Sequence, residues 1–114
     1  MSVNALINKL TKIPEAVEFS EVIDVIQRYY HYTATNFTNG DVINQAGTNE
    51  GSCKIFAFAK LNQLDEQQTL ACFGDYYRKD VLQHPKNSDH ANIRSFIQSG
   101  WAGITFDGVA LVEK

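Results

Sequence analysis

Apolar residues recur at helical spacing in the first third of the chain. Val3, Leu6, Ile7 and Leu10 form one stripe behind Ser2, which suits an N-cap, and Pro14 ends this short helix or opens the next. From Glu15 onward Phe19, Val22, Ile23, Ile26 and Tyr30 make a second stripe. Glu21, Asp24 and Arg28 share its opposite face, with Asp24 and Arg28 placed to pair at i, i+4, and Glu15 and Glu18 suit the positive end of the helix dipole. The pattern then changes. Between Thr33 and Gly51 the chain is rich in Asn, Thr and Gly, and Asn39-Gly40 between Phe37-Thr38 and Val42-Ile43 predicts a turn in a long polar loop that carries a short strand.

The run from Cys53 to Leu61 is apolar nearly all round and predicts a buried helix. Asp65 and Gln68 form the ends of a capping box, and Leu70, Phe73, Tyr77 and Val81 form the inward stripe of the helix behind it, with Gly74 permitting a close helix contact. Pro85 terminates that helix. Ser88 or Asp89 is placed to cap another, bearing Ile93, Phe96 and Ile97 and ending at Gly100. A two-residue turn at Asp107-Gly108 sets Phe106 opposite Val109 and Ile104 opposite Leu111, which predicts a C-terminal hairpin with Trp101 and Phe106 closing the core. The expected architecture is therefore α+β: one domain over residues 1–114, mostly helical with about five helices, and a small antiparallel β-sheet that includes the hairpin.

Composition narrows the function classes. The chain has 114 residues, a formal net charge of −3 and 44% hydrophobic residues, enough for a core without metals or disulfides. The acidic balance and the lack of a Lys/Arg cluster argue against nucleic acid or an anionic membrane as partner. No stretch reaches the roughly 20 apolar residues of a membrane span. Cys53 and Cys72 lie in apolar segments, which points to free buried thiols in a reducing compartment, and the N-terminus lacks the basic and apolar regions of a secretory signal.

Three sets of rare-residue strings are more specific. Phe37-Thr38-Asn39-Gly40-Asp41 runs on to Asn49-Glu50-Gly51-Ser52-Cys53-Lys54. Cys72-Phe73-Gly74-Asp75-Tyr76-Tyr77-Arg78 follows, and then Asp89-His90-Ala91-Asn92-Ile93-Arg94 leads through Gly100-Trp101-Ala102-Gly103 to Phe106-Asp107-Gly108. In this order they span nearly the whole chain, which resembles the HopJ family of type III effector proteins. The resemblance implies relatives in plant-pathogenic bacteria that are delivered into host cells, and it brings no catalytic residues with it. Two features of such export signals are met, an aliphatic Val3 and a first acid only at Glu15. Two are not: Ser2 and Ser20 are the only serines among the first 50 residues, and Val3 to Leu10 reads as a core-facing helix.

Candidate chemistry is sparse. A thiol at Cys53, near a helix N-terminus, with His90 and Asn92 downstream makes a Cys, His, Asn order for nucleophilic catalysis, although Cys53 fits an apolar face equally well. His84, Asp89 and His90 supply three potential metal ligands at a spacing that matches no recognised metal signature, and Asp89 fits better as an N-cap. Asp75 is placed to meet Arg78 or Lys79 along its own helix, and Arg94 to reach Glu50, which would tie the polar loop to the fifth helix. The polar loops point to binding. The expected surface consists of Asn39, Asp41, Asn49, Glu50, Ser52, Asp89, His90 and Arg94. The reading is of a non-enzymatic, HopJ-like interaction protein with no cofactor, a protein partner, and a place in the bacterial cytoplasm. The alternatives are a thiol- or metal-assisted hydrolase, a protein secreted into the host cell by a type III system, and a non-exported cytoplasmic protein of unknown role.

Overall fold

Ser2 opens the first helix by accepting the Ala5 N–H at 3.0 Å. The computed structural model describes all 114 residues. Helix α1 (Val3–Lys12) buries Leu6 and Leu10. Pro14 starts a 3₁₀ turn, Pro14–Ala16, rather than the second helix itself, and α2 (Phe19–Tyr29) begins behind a capping box made by Glu18 and Glu21. Glu21 also accepts Lys9 Nζ at 2.8 Å, so the ion pair that matters here joins two helices, whereas Asp24 and Arg28 form none.

Three short strands follow: β1 (Tyr30–Tyr32), β2 (Phe37–Asn39) and β3 (Val42–Asn44). The polar segment thus holds a hairpin, with Asn39 opposite Val42 and a turn through Gly40, whose φ of 58° suits glycine. Helix α3 (Glu50–Leu61) is apolar all round because it is central, with Cys53, Ile55, Phe56, Ala57, Phe58 and Ala59 all buried. Asp65 and Gln68 cap α4 (Glu66–Ala71) as expected. The stripe beyond it does not continue as one α-helix. Gly74 takes a φ of 60°, and a Cβ there would stand 2.7 Å from the Phe19 backbone nitrogen, so the chain turns and resumes as a π-helix, Tyr76–Val81. Helix α5 (Ala91–Ser99) and a 3₁₀ turn, Gly100–Gly103, lead to β4 (Ile104–Phe106) and β5 (Leu111–Glu113).

The last two strands are present and antiparallel to their partners, but they do not pair with each other. β4 joins β2 to complete a three-stranded sheet in the order β3-β2-β4, and β5 joins β1 in a separate pair. The hairpin expectation is corrected accordingly, and Val109 is 69% exposed instead of facing Phe106. The reason is competition for edges. The free edges of β2 and β1 satisfy more backbone groups over buried surface than a tight turn does, and Asn36 O and Ala110 O accept Asp107 N–H and Thr33 N–H at 3.0 and 2.8 Å on the way.

One apolar cluster holds these elements together. Phe56 lies at its centre, with ring centroids 5.0 Å from Phe96, 5.4 Å from Phe73, 6.1 Å from Phe37 and 6.4 Å from Trp101. Trp101 and Phe106 pack against this cluster only half-buried. No helix is long and apolar enough to cross a membrane.

Candidate functional site

The polar hairpin is attached to α5 through side-chain amides. Asn92, in the first turn of α5, receives Asn39 Nδ2 on its carbonyl at 2.7 Å and on its Oδ1 at 3.1 Å. Asn44 Nδ2 donates to the same Oδ1 at 3.0 Å, and Asn92 Nδ2 returns a bond to Asn44 Oδ1 at 2.9 Å. Asn49 Nδ2 then reaches Asn44 Oδ1 at 2.8 Å. Asn39, Asn44 and Asn92 are all buried, and Asn39 Oδ1 is the one buried side-chain polar atom left without a partner. Sequence reading missed this network. The available signal was Asn39, Asn44 and Asn49 at equal spacing, which a loop composition disguises.

That network aims two helices at one place. α3 and α5 are both entered through a non-glycine residue in the left-handed region, Asn49 at φ 49° and His90 at φ 53°, and neither has a side-chain cap. Their first N–H groups are left to solvent or to a bound group. Between them lies a cleft of about 320 Å³ lined by Asn49, Ser52, His90 and Asn92, with Phe19 and Tyr76 among its apolar walls. The expected cap at Ser88 or Asp89 is therefore corrected: His90 occupies the N-cap position without a side-chain bond, and the Asp89 carboxylate accepts Arg94 Nη2 at 2.6 Å. That guanidinium holds Asp89 below the usual carboxylate range.

His90 is braced from both sides. Its Nε2 lies 3.0 Å from Asp80 on the π-helix and 3.9 Å from Asp89, while its ring sits 5.2 Å from that of Tyr76. Arg94 also donates to the Asp89 and Asp80 carbonyls, so it ties α5 to the π-helix instead of reaching Glu50. Among the expected binding residues, Asn49, Ser52 and His90 line the cleft, Asp89 and Arg94 support its rim, and Asn39 lies buried beneath it. Asp41 and Glu50 do not line it. Asp41 is exposed beside Gly40 in the β2–β3 turn, and Glu50 acts on Tyr32 and Cys53.

The catalytic order is not assembled. Cys53 is buried and does not line the cleft, and burial pushes its thiol up against the opposing pull of the Tyr32 hydroxyl and the Thr35 backbone. Burial, reinforced by Cys53 and Glu50, pushes Tyr32 up to about 12. His90 and Asn92 line the cleft without Cys53. Cys72 is sealed in the core and pushed up to about 12 by burial. Both cysteines are free. His84, exposed beside Pro85, does not join Asp89 and His90, and no group of three or more His, Cys, Asp or Glu side chains is placed to hold a metal ion.

Known proteins can be set against this geometry. The crystal structure of VPA0580, a protein of unknown function, is similar over 100% of this chain and 95% of that chain, with 50% sequence identity and a TM-score of 0.99. No curated protein matches the chain. The model of the family described as HopJ type III effector protein matches residues 3–111. Because that match runs from the start of α1 to the start of β5 and takes in the hairpin, the cleft and the aromatic cluster, the chain belongs to the HopJ family of type III effector proteins.

Proposed function

We infer that this HopJ family member is a non-enzymatic interaction protein that holds a polar segment of a partner protein at the cleft between α3 and α5. One observation carries the reading: residues from three separated segments, Asn49 and Ser52, Tyr76, and His90, meet on a rim that the buried amide network holds rigid. A rigid rim lowers the ordering cost of binding. The dispersal of Cys53, His90 and Asn92 supports binding over thiol hydrolysis, since a nucleophile needs its base within hydrogen-bond reach.

The test is affinity capture from host and bacterial extracts with wild type, Ser52→Arg and Lys12→Ala, followed by binary binding with each purified hit. A partner held by wild type and Lys12→Ala but lost by Ser52→Arg is the expected result. Partners that bind all three proteins equally would remove the cleft from the interaction.

The proposed place of action rests on α1. Leu6 and Leu10 are buried in the shared core, so threading the N-terminal segment through a secretion channel requires the domain to open. This supports retention in the bacterial cytoplasm over delivery into a host cell. A fusion of residues 1–44 to a translocation reporter should stay silent in host cells. Activity that depends on a working type III apparatus would reverse the assignment.

A further inference from the structure

Strand β4 ends its sheet. In the order β3-β2-β4 its second edge has no strand beside it. The register sets Thr105 opposite Thr38, and on either side of that pair Gly40 donates its N–H to Gly103 O at 2.9 Å and Asp107 donates its N–H to Asn36 O at 3.0 Å. Backbone groups alternate in direction along an antiparallel pair, so Gly103, Thr105 and Asp107 address β2 while Ile104 and Phe106 address the open edge. Ile104 donates its N–H back to Trp101 O. The Ile104 carbonyl and both backbone groups of Phe106 are left directed outward, where no strand meets them.

The two residues with outward groups also line two cavities. One, of about 370 Å³, is formed by Phe106 with Ala57, Leu61, Val109 and Leu111, and of these Leu61 and Val109 are exposed. The other, of about 310 Å³, is formed by Ile104 with Ala59, Leu64 and Trp101. Lys60 on α3 contributes to both, so the cavities are neighbours, and neither shares a residue with the cleft between α3 and α5. Ile104 and Phe106 stand two positions apart on one face of β4, the face on which Phe106 stacks on Phe37 at 5.3 Å, while Thr105 between them is exposed. A strand laid along the open edge repeats that two-residue step and therefore sets consecutive same-face side chains beside the two cavities.

We propose that the open edge of β4 accepts an extended segment of a partner protein, which bonds to the Phe106 N–H and to the Ile104 and Phe106 carbonyls and seats apolar side chains, two positions apart, in the two cavities. In strand addition of this kind main-chain bonds supply affinity and pockets for alternate side chains supply specificity. A second copy of the chain does not fit through the matching edge. In a pairing of β4 with β4 the side chains due in the cavities are Ile104 and Phe106 of the other copy, and both are packed into their own core.

The probe is a peptide of about seven residues, blocked at both ends, with leucine at its third and fifth positions and threonine elsewhere, titrated into the full chain and followed by amide NMR. Saturable shifts at Leu61, Phe106 and Val109, with slowed hydrogen exchange at the Phe106 amide, are expected. N-methylation of both leucine amides, which removes the main-chain donors, should weaken binding about tenfold or more, and so should moving the second leucine to the fourth position, which turns it to the opposite face. Val109→Asp should weaken it similarly, whereas Leu82→Asp, at an exposed site that lines neither cavity, binds as wild type does. Either altered peptide binding as tightly as the first, equal effects of the two aspartate variants, or no saturable shift would overturn the proposal. Protection of the Phe106 amide that rises with protein concentration in the absence of peptide would assign the edge to a second copy and overturn it as well.

Discussion

Helix α5 takes part in two buried neighbourhoods of opposite chemistry, one turn apart. Phe96 enters the aromatic cluster around Phe56, while Asn92 enters the amide network with Asn39 and Asn44. Aromatic contacts are numerous, weakly directional and share their loss among neighbours. The amide network depends on a few oriented bonds, where removing one partner strands the others. The aromatic side accordingly supplies stability, whereas the amide side sets where the cleft residues stand.

The comparison is broken most directly from its aromatic side. Phe56→Ala removes a fully buried ring in contact with four others and should cost about 3–5 kcal/mol, a large share of a total stability of roughly 5–15 kcal/mol. A denaturant midpoint no lower than that of Asn92→Ala would show that the aromatic cluster is not the main source of stability. Asn92→Ala, on the amide side, strips the buried Asn44 Nδ2 of its acceptor and leaves Asn39 Nδ2 only the backbone carbonyl of residue 92, and should cost about 2 kcal/mol. Its distinguishing mark is loss of solvent protection at the Asn39 and Asn44 side-chain amide protons, read by NMR, with the ring-shifted core signals intact.

Alkaline pH probes the aromatic side more gently. Cys72 keeps its proton in the folded state to about 12, against 9.0 when exposed. Above pH 9 the unfolded chain releases that proton first and so binds fewer, which makes stability fall as pH rises from 9 towards 12. The loss should be on the order of 1 kcal/mol at pH 10, and Cys72→Ala should flatten that slope in urea titrations. Thiol reagents should label neither cysteine of the folded protein faster than a small free thiol at pH 7.

The smallest effect belongs to the rim. Asp89 is held below 3.8 by Arg94, so its contribution is present above that value and is lost as pH falls through the lowered one. Being fully exposed, it is screened by solvent. Asp89→Asn should shift the midpoint less than any substitution above and should remove part of the acid dependence below pH 3.8. A loss rivalling that of Asn92→Ala would show that the rim, and not the amide network, holds the cleft.

Legibility in the sequence followed the range of the interactions. α1, α3 and the Asp65–Gln68 cap depend on spacing within one or two turns, and they stand where the pattern predicts. The start of α2 is displaced from Glu15 to Phe19 because a local competitor, the Glu18–Glu21 box behind a Pro14 turn, is better satisfied. The break at Gly74 was only half legible: a close contact was expected, but the contacting atom is the backbone of Phe19, far away in the chain. At the site, the residue types of the polar loops pointed to Asn49, Ser52 and His90, but the amides that hold them join positions 39, 44 and 49 to position 92, a pairing that spacing does not encode.

The sequence by itself determined the α+β class, the family, the free buried thiols and the principal helices, because propensity, capping and periodicity act between neighbours in the chain. Only the tertiary structure decided strand partners and side-chain partners. Ile104 and Leu111 read as two sides of one hairpin, yet β4 went to β2 and β5 to β1, since a strand takes whichever edge satisfies its backbone over the most buried surface. Asp89 read as a cap, yet it holds Arg94. The strand pairings are set by packing in space, and no short window of the chain contains both members.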